Sequence, residues 1–301
     1  MKILKPRKLK KGGTIGLLSV SGEIKELSQL ENAKNYFENQ GFKVKISENS
    51  AQKHNYLCGT DEERLKALHD FFLDEEISAI IATRGGYGAL RLVNKIDYEI
   101  IKKNPKIFAG HSDITALSLM FFKKTGLVTF SSPMACADFS QKPDSLTEKA
   151  FWDVFWGEQK VFPLENPKIY KQGTATGRLW GGNLATIASL AGLDFVPDEN
   201  FVLFIEDVAE PAYKIDRMLT QLLNIEKFKK NLSAIVPGDF TGLDSQEYFE
   251  NIFFELKKDI PIISGLKIGH EKEKITLPAG VKCRICTQKP ELEILEDYFE
   301  G

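Results

Sequence analysis

Phe108-Ala109-Gly110-His111-Ser112-Asp113-Ile114-Thr115 reads as a buried strand that stops abruptly at a serine opening a helix. The apolar run from Ile107 to Ala109 is strand-like and Gly110 permits a sharp turn. Ile114, Leu117 and Phe121 then recur at helical spacing until Lys123, Lys124 and Gly126 end the helix. A hydroxyl at such a corner lies beside the positive helix end, and the backbone N–H of Asp113 points where an oxyanion can form. The pattern lacks the second glycine of the hydrolase elbow, so these eight residues alone favour a plain Ser N-cap.

Strands and helices alternate on either side of this corner. Residues 14–20, 42–46, 78–82 and 127–130 read as strands, and 26–40, 61–74 and 145–156 as helices. The continuous apolar run at 78–82 is of the kind buried on both faces of a parallel sheet. The alternation predicts an α/β protein whose N-terminal domain, residues 1–160, is built on a doubly wound, mostly parallel sheet. Residues 161–171, with Pro163 and Pro167 and little periodicity, read as a linker, and 172–301 as a smaller C-terminal α/β domain. In that half, 201–205 is the strongest strand, a helix spans 213–227, and 277–280 precedes a final pair of strands.

Composition narrows the partners. A chain of 301 residues with net charge −2, 43% hydrophobic and 27% charged residues is an ordinary globular protein, with no field favouring nucleic acid or an anionic membrane. No long apolar run follows the basic start from Lys2 to Lys11, which points to a cytoplasmic protein. Cys283 and Cys286 form a C-x-x-C, but without a second pair or a nearby histidine they read as reduced structural thiols rather than metal ligands.

Four groups of residues carry chemistry. Arg84-Gly85-Gly86-Tyr87-Gly88 follows the 78–82 strand and offers backbone N–H groups where open sheets bind ligands, although Arg91 stands where a dinucleotide motif needs glycine. Gly181-Gly182-Asn183 precedes a helix and reads as an anion site or as a turn with an Asn cap. Glu206, Asp207 and Glu210 cluster at the end of the 201–205 strand. Glu206 is better placed than Asp207, which points the other way in an extended chain. Among the histidines, His270 follows Gly269 in a loop that can enter a cleft, His111 diverges from Ser112, and His54 and His69 read as solvated.

Taken together, the Arg84–Gly88 loop, Gly110-x-Ser112-Asp113, Gly181-Gly182-Asn183-Leu184, Ile205-Glu206-Asp207 with Asp216-Arg217, and Gly269-His270 with Leu277-Pro278-x-Gly280 resemble the LD-carboxypeptidase family. These serine peptidases include murein tetrapeptide carboxypeptidase and the microcin C immunity hydrolases. His111 stands where an aromatic residue is expected. The resemblance implies Ser112 as nucleophile, His270 as general base and Glu206 as the carboxylate orienting it. It also implies an oxyanion hole from the N–H groups of Asp113 and a glycine of the Arg84 loop, Gly86 matching better than Gly85. The site then forms between the two halves, where hinge motion can gate it. Arg84, Gly85 and the helix start at Asn183 are candidate contacts for the substrate's terminal carboxylate. The implied substrate is a murein tetrapeptide losing its terminal D-alanine, with no metal or cofactor and with a homodimer as the assembly. A peptidyl-nucleotide hydrolase, which needs an aromatic slot that Trp180 is poorly suited to build, and a ligand-binding protein without turnover are the alternatives.

Overall fold

Alternation at 79–82 and 107–109 sends Ala79, Ile81, Ile107 and Ala109 into one apolar layer and Ile80, Ala82 and Phe108 into the other. A sheet covered on both faces in this way is doubly wound. The computed structural model describes residues 2–301. The N-terminal strands are β1 (Thr14–Leu18), β2 (Lys43–Ile46), β3 (Ile77–Ala82), β4 (Ile107–Ala109) and β5 (Thr129–Ser131). They are followed by β6 (Val161–Pro163), β7 (Ile169–Lys171), β8 (Thr174–Asn183), β9 (Phe201–Asp207), β10 (Leu232–Phe240) and β11 (Ile262–Ile263). The last three are β12 (Leu277–Ala279), β13 (Lys282–Cys286) and β14 (Glu291–Ile294).

The first sheet has the order β12-β5-β4-β3-β1-β2 and the second β6-β14-β13-β8-β9-β10-β11-β7. Strands β1 to β5 run parallel, as do β8 to β11, while β12, β13, β14, β6 and β7 pair antiparallel. The chain is therefore α/β with two sheets, as expected, but its halves are less separate than the sequence suggests. Residues 161–171 are not a free linker: β6 and β7 lie at opposite edges of the second sheet. Short edge strands tolerate proline, which hid them. Leu277–Ala279 is itself a strand, and it crosses back to pair with β5 of the first sheet. The second sheet, with eight strands to the first sheet's six, is the larger in strand number.

Both apolar layers run across the two sheets. One joins Phe108 and Leu117 to Leu203, Ile205 and Trp180; the other joins Ile81 and Phe130 to Val202, Phe204 and Val236. The expected helix at 213–227 breaks into Ala212–Leu223 and Glu226–Asn231, and Tyr98–Lys103 and Gln246–Glu255 are helices that the sequence reading leaves out. His69 is half-buried rather than solvated, and its Nε2 accepts a 3.1 Å hydrogen bond from the backbone N–H of Asp97. No helix is long and apolar enough to cross a membrane among the described residues.

One charge cluster ties the first half together. Asp61, at the start of the helix Asp61–Leu73, meets Arg64 at 2.6 Å, Arg91 at 2.7 Å and Lys95 at 2.9 Å. The Arg91 hydrogen bond holds the Asp61 carboxyl well below the usual carboxylate range, against the opposing effect of burial, with Lys95 and Arg64 adding to it. A depressed folded value means that the stabilisation is complete above the unfolded value and is lost as pH falls through the folded one. Asp61→Asn is expected to lower Tm at neutral pH and to flatten the fall of Tm below about pH 4, read by calorimetry across pH.

Candidate active site

The carboxyl ends of the parallel strands of both sheets converge, and the loops leaving them build the site. Strand β4 ends at Ala109, and three residues on, Ser112 has φ 61°. The left-handed region costs a non-glycine residue roughly 1–2 kcal/mol, so this corner is strained in the way that an exposed hydroxyl at a strand-to-helix turn requires. Asp113 supplies the counterweight. Its buried carboxylate accepts from Ser21 Oγ at 2.6 Å and from the backbone N–H of Ala89 at 2.8 Å, locking the turns after β1 and β3 to the corner. Burial raises the Asp113 carboxyl, and these two bonds oppose the rise.

Gly85 explains the spacing of the Arg84 loop. A Cβ built on Gly85 would lie 2.8 Å from Ser112 Cβ, 2.9 Å from its Oγ and 3.5 Å from the Asp113 nitrogen. Gly85→Ala is expected to push Ser112 off its position and to cut carboxypeptidase turnover by about a hundredfold. Unaltered turnover in that variant would show that the close approach is dispensable. The Gly85 carbonyl accepts from Gly22 N–H at 3.2 Å, so across the trans peptide the Gly86 N–H points away from Gly22. Gly86 itself has φ 113°, a conformation glycine adopts freely. Arg84 is half-buried; its Nη1 donates to the Glu23 carbonyl at 2.6 Å.

Glu206, one residue before the end of β9, pairs with Asn183 of β8. It is 3% exposed, and its Oε2 lies 2.9 Å from His270 Nδ1, whose ring is 25% exposed. Alternation along β9 sends Asp207 the other way, where it accepts from Asn183 Nδ2 and from the N–H groups of Ala185 and Val208, each at 2.9 Å. The Asn183 side chain is engaged as a cap. Its Oδ1 accepts from Thr186 N–H at 3.0 Å, its Nδ2 is held by Asp207, and the residue is buried. Its N–H donates to Thr115 Oγ1 at 3.1 Å, which docks the helix Ile114–Thr125, just after Ser112, onto the second sheet.

The loop carrying His270 is fastened to the first half. Lys274, itself buried, donates to Asp138 at 2.6 Å, and Thr147 Oγ1 donates to the Lys272 carbonyl at 3.0 Å. Behind His270 stands His111, packed edge-to-face at 5.0 Å between ring centroids. Asp138, Lys274, Thr147 and Thr115 are positioning residues that the sequence reading missed, because isolated polar residues carry no pattern until the chain is folded. Asp239, near the end of β10, donates its backbone N–H to the Ile268 carbonyl at 3.0 Å. Burial, with the charges of Glu271 and Glu206, pushes its carboxyl up to about 6. Trp180 is wholly buried against Phe195, Phe201 and Phe228, so it forms no slot. The one group of histidine, cysteine and acidic side chains spaced to hold a metal ion, among the described residues, is His111, Glu206 and His270.

A two-sheet α/β framework that holds a strained serine at one strand end and a buried carboxylate–histidine pair at another defines the class of a serine hydrolase. Residues 15–132 match the LD-carboxypeptidase N-terminal domain, and residues 176–285 match the LD-carboxypeptidase C-terminal domain. A probable murein peptide carboxypeptidase of Bacillus subtilis is 34% identical over 99% of this chain and 96% of that protein. The structure of microcin C7 self immunity protein MccF in complex with aspartyl sulfamoyl adenosine superposes with a TM-score of 0.89 at 26% identity, covering 99% of this chain and 100% of the other. Muramoyltetrapeptide carboxypeptidase from Oxalobacter formigenes superposes at 0.83 with 29% identity, covering 95% of this chain and 100% of that one. The chain belongs to the LD-carboxypeptidase family and is a serine-type carboxypeptidase.

Proposed function

We propose that the protein removes the terminal D-alanine from murein tetrapeptide during peptidoglycan recycling, through Ser112, His270 and Glu206. The observation that carries this reading is the 2.9 Å bond between buried Glu206 and His270 Nδ1, in a fold that also holds Ser112 at a left-handed φ of 61°. With Nδ1–H held by Glu206, Nε2 of His270 is the basic nitrogen and takes the Ser112 proton as Oγ attacks the carbonyl of the scissile amide. The N–H groups of Asp113 and Gly86 receive the oxyanion, and neither donates to a protein acceptor among the described residues. Collapse of the intermediate breaks the C–N bond, and the proton on His270 leaves with the D-alanine amine. Water then enters, gives a proton to His270 and hydrolyses the acyl-enzyme. Arg84 has no carboxylate partner within salt-bridge distance among the described residues, so its guanidinium is the group we assign to the substrate's terminal carboxylate. The same reading carries a cytoplasmic setting, supported by four free thiols, and the family's homodimer.

A second substrate, a peptidyl-nucleotide, is favoured by one observation. Tyr56 and Tyr87 are 58% and 45% exposed with ring centroids 5.8 Å apart, and Tyr87 adjoins Gly86 in the chain. Such a pair can stack on a base. The deciding experiment incubates free muropeptides, and separately an aminoacyl sulfamoyl adenosine, with the wild type and with Ser112→Ala, read by mass spectrometry. Loss of D-alanine from tetrapeptide with wild type alone supports the recycling enzyme. Cleavage of the nucleotide conjugate alone moves the assignment to immunity chemistry.

A further inference from the structure

We infer that His111, His270 and Glu206 form a binding site for a zinc-class divalent cation that reversibly blocks the enzyme by taking its base as a ligand. The inference rests on the reading of His270 and Glu206 as base and orienting carboxylate, and it adds a regulatory ligand to that pair.

One nitrogen from each histidine and one carboxylate oxygen lie within 4.8 Å of one another. Donors around a single zinc ion, each about 2.0–2.2 Å away, stand at most about 4 Å apart, so closure needs movements of well under a side-chain length. The His270 ring, a quarter exposed on a loop, is the element free to make them. Two further observations point to a ligand. His111 is 7% exposed and neither of its ring nitrogens has a hydrogen-bond partner, and Glu206 Oε1, in a residue 3% exposed, has none either. Leaving such atoms unpaired in a buried site costs about 1–3 kcal/mol each, and coordination removes that cost.

The donor set selects the ion. Two imidazoles and one carboxylate suit zinc and its borderline neighbours, whereas magnesium and calcium demand oxygen ligands. Asp138, 3.7 Å from His111 Nε2 and anchored by Lys274 at 2.6 Å, is the kind of carboxylate that orients a ligating imidazole from outside. Coordination displaces the His270–Glu206 hydrogen bond and occupies the imidazole that must accept the Ser112 proton. Ser112 is then left as an ordinary hydroxyl.

The test uses the full chain stripped with a chelator, with cobalt(II) as a visible probe and zinc by chelator competition. The wild type is expected to take one equivalent of cobalt with an intense low-coordinate visible band. Zinc at one equivalent should abolish labelling of Ser112 by a fluorophosphonate, reversibly on adding chelator. His111→Phe and His111→Asn should lose the band and weaken zinc binding at least about tenfold. Their labelling should be slowed by zinc far less than the wild type's, each variant being compared with its own metal-free rate. No cobalt band in the wild type overturns the site without recourse to any variant, as does undiminished zinc sensitivity in both His111 variants. If metal-free wild type fails to label while the band appears and depends on His111, the metal site stands and the catalytic reading of Ser112 falls.

Discussion

Ser112→Ala is expected to lower D-alanine release from tetrapeptide by at least about 10⁴-fold, and by up to about 10⁶-fold if the serine acts as in other acyl-transfer peptidases. The fold should survive, because alanine occupies the same space and tolerates the same φ of 61° no worse than serine does. Ser112→Gly sharpens the test. Glycine adopts a left-handed φ without the steric cost, so this variant is expected to be as dead as Ser112→Ala yet as stable as the wild type or better by up to about 1 kcal/mol. Kinetics with purified tetrapeptide, fluorophosphonate labelling and thermal melts read the three quantities. Residual turnover above a hundredth of wild type in Ser112→Ala would place the nucleophile elsewhere and leave Ser112 as a strained cap.

Glu206→Gln is the second large effect, an expected drop of about 10⁴-fold in kcat with little change in KM. Glu206 is buried, and its hydrogen bond to Nδ1 sets which nitrogen of His270 is basic. A glutamine can present its amide N–H to Nδ1 instead, which moves the proton to Nε2 and leaves nothing to accept from Ser112. The loss should not add to that of His270→Ala, because the two residues act as one unit. A double variant measurably slower than His270→Ala alone would mean that Glu206 does something other than orient the imidazole. A Glu206→Gln enzyme close to wild type in kcat would remove it from the mechanism.

Much of this was legible before folding. The alternation of short apolar runs with helical segments predicts two α/β halves, since period-2 and period-3.6 patterns survive without tertiary information. Glu206 rather than Asp207 follows from strand alternation alone, and the opposed hydrogen bonds of the two residues agree with it. The resemblance to a family drew Ser112 and His270 together across 158 positions of chain, which no local pattern can do. The linker at 161–171 misled because proline-bearing edge strands look like loops. Asn183 was ambiguous because a helix start that binds an anion and one that is capped have the same residues; folding adds the Asp207 partner that holds its side chain.

By itself the sequence determined the fold class, the position of the main strands and the residue types able to do acyl chemistry, because each of these is written in spacing or in a short motif. Tertiary structure decided which segments approach one another. The Ser112 strain, the approach of Gly85 to its hydroxyl, the Lys274–Asp138 pair that fastens the His270 loop, and the packing of His111 on His270 all join segments far apart in the chain. Contacts of that kind depend on how two sheets share their apolar layers, and burial creates the selectivity: most enclosed polar groups find a hydrogen-bond partner, while the His111 ring has only the Asp138 carboxylate 3.7 Å away.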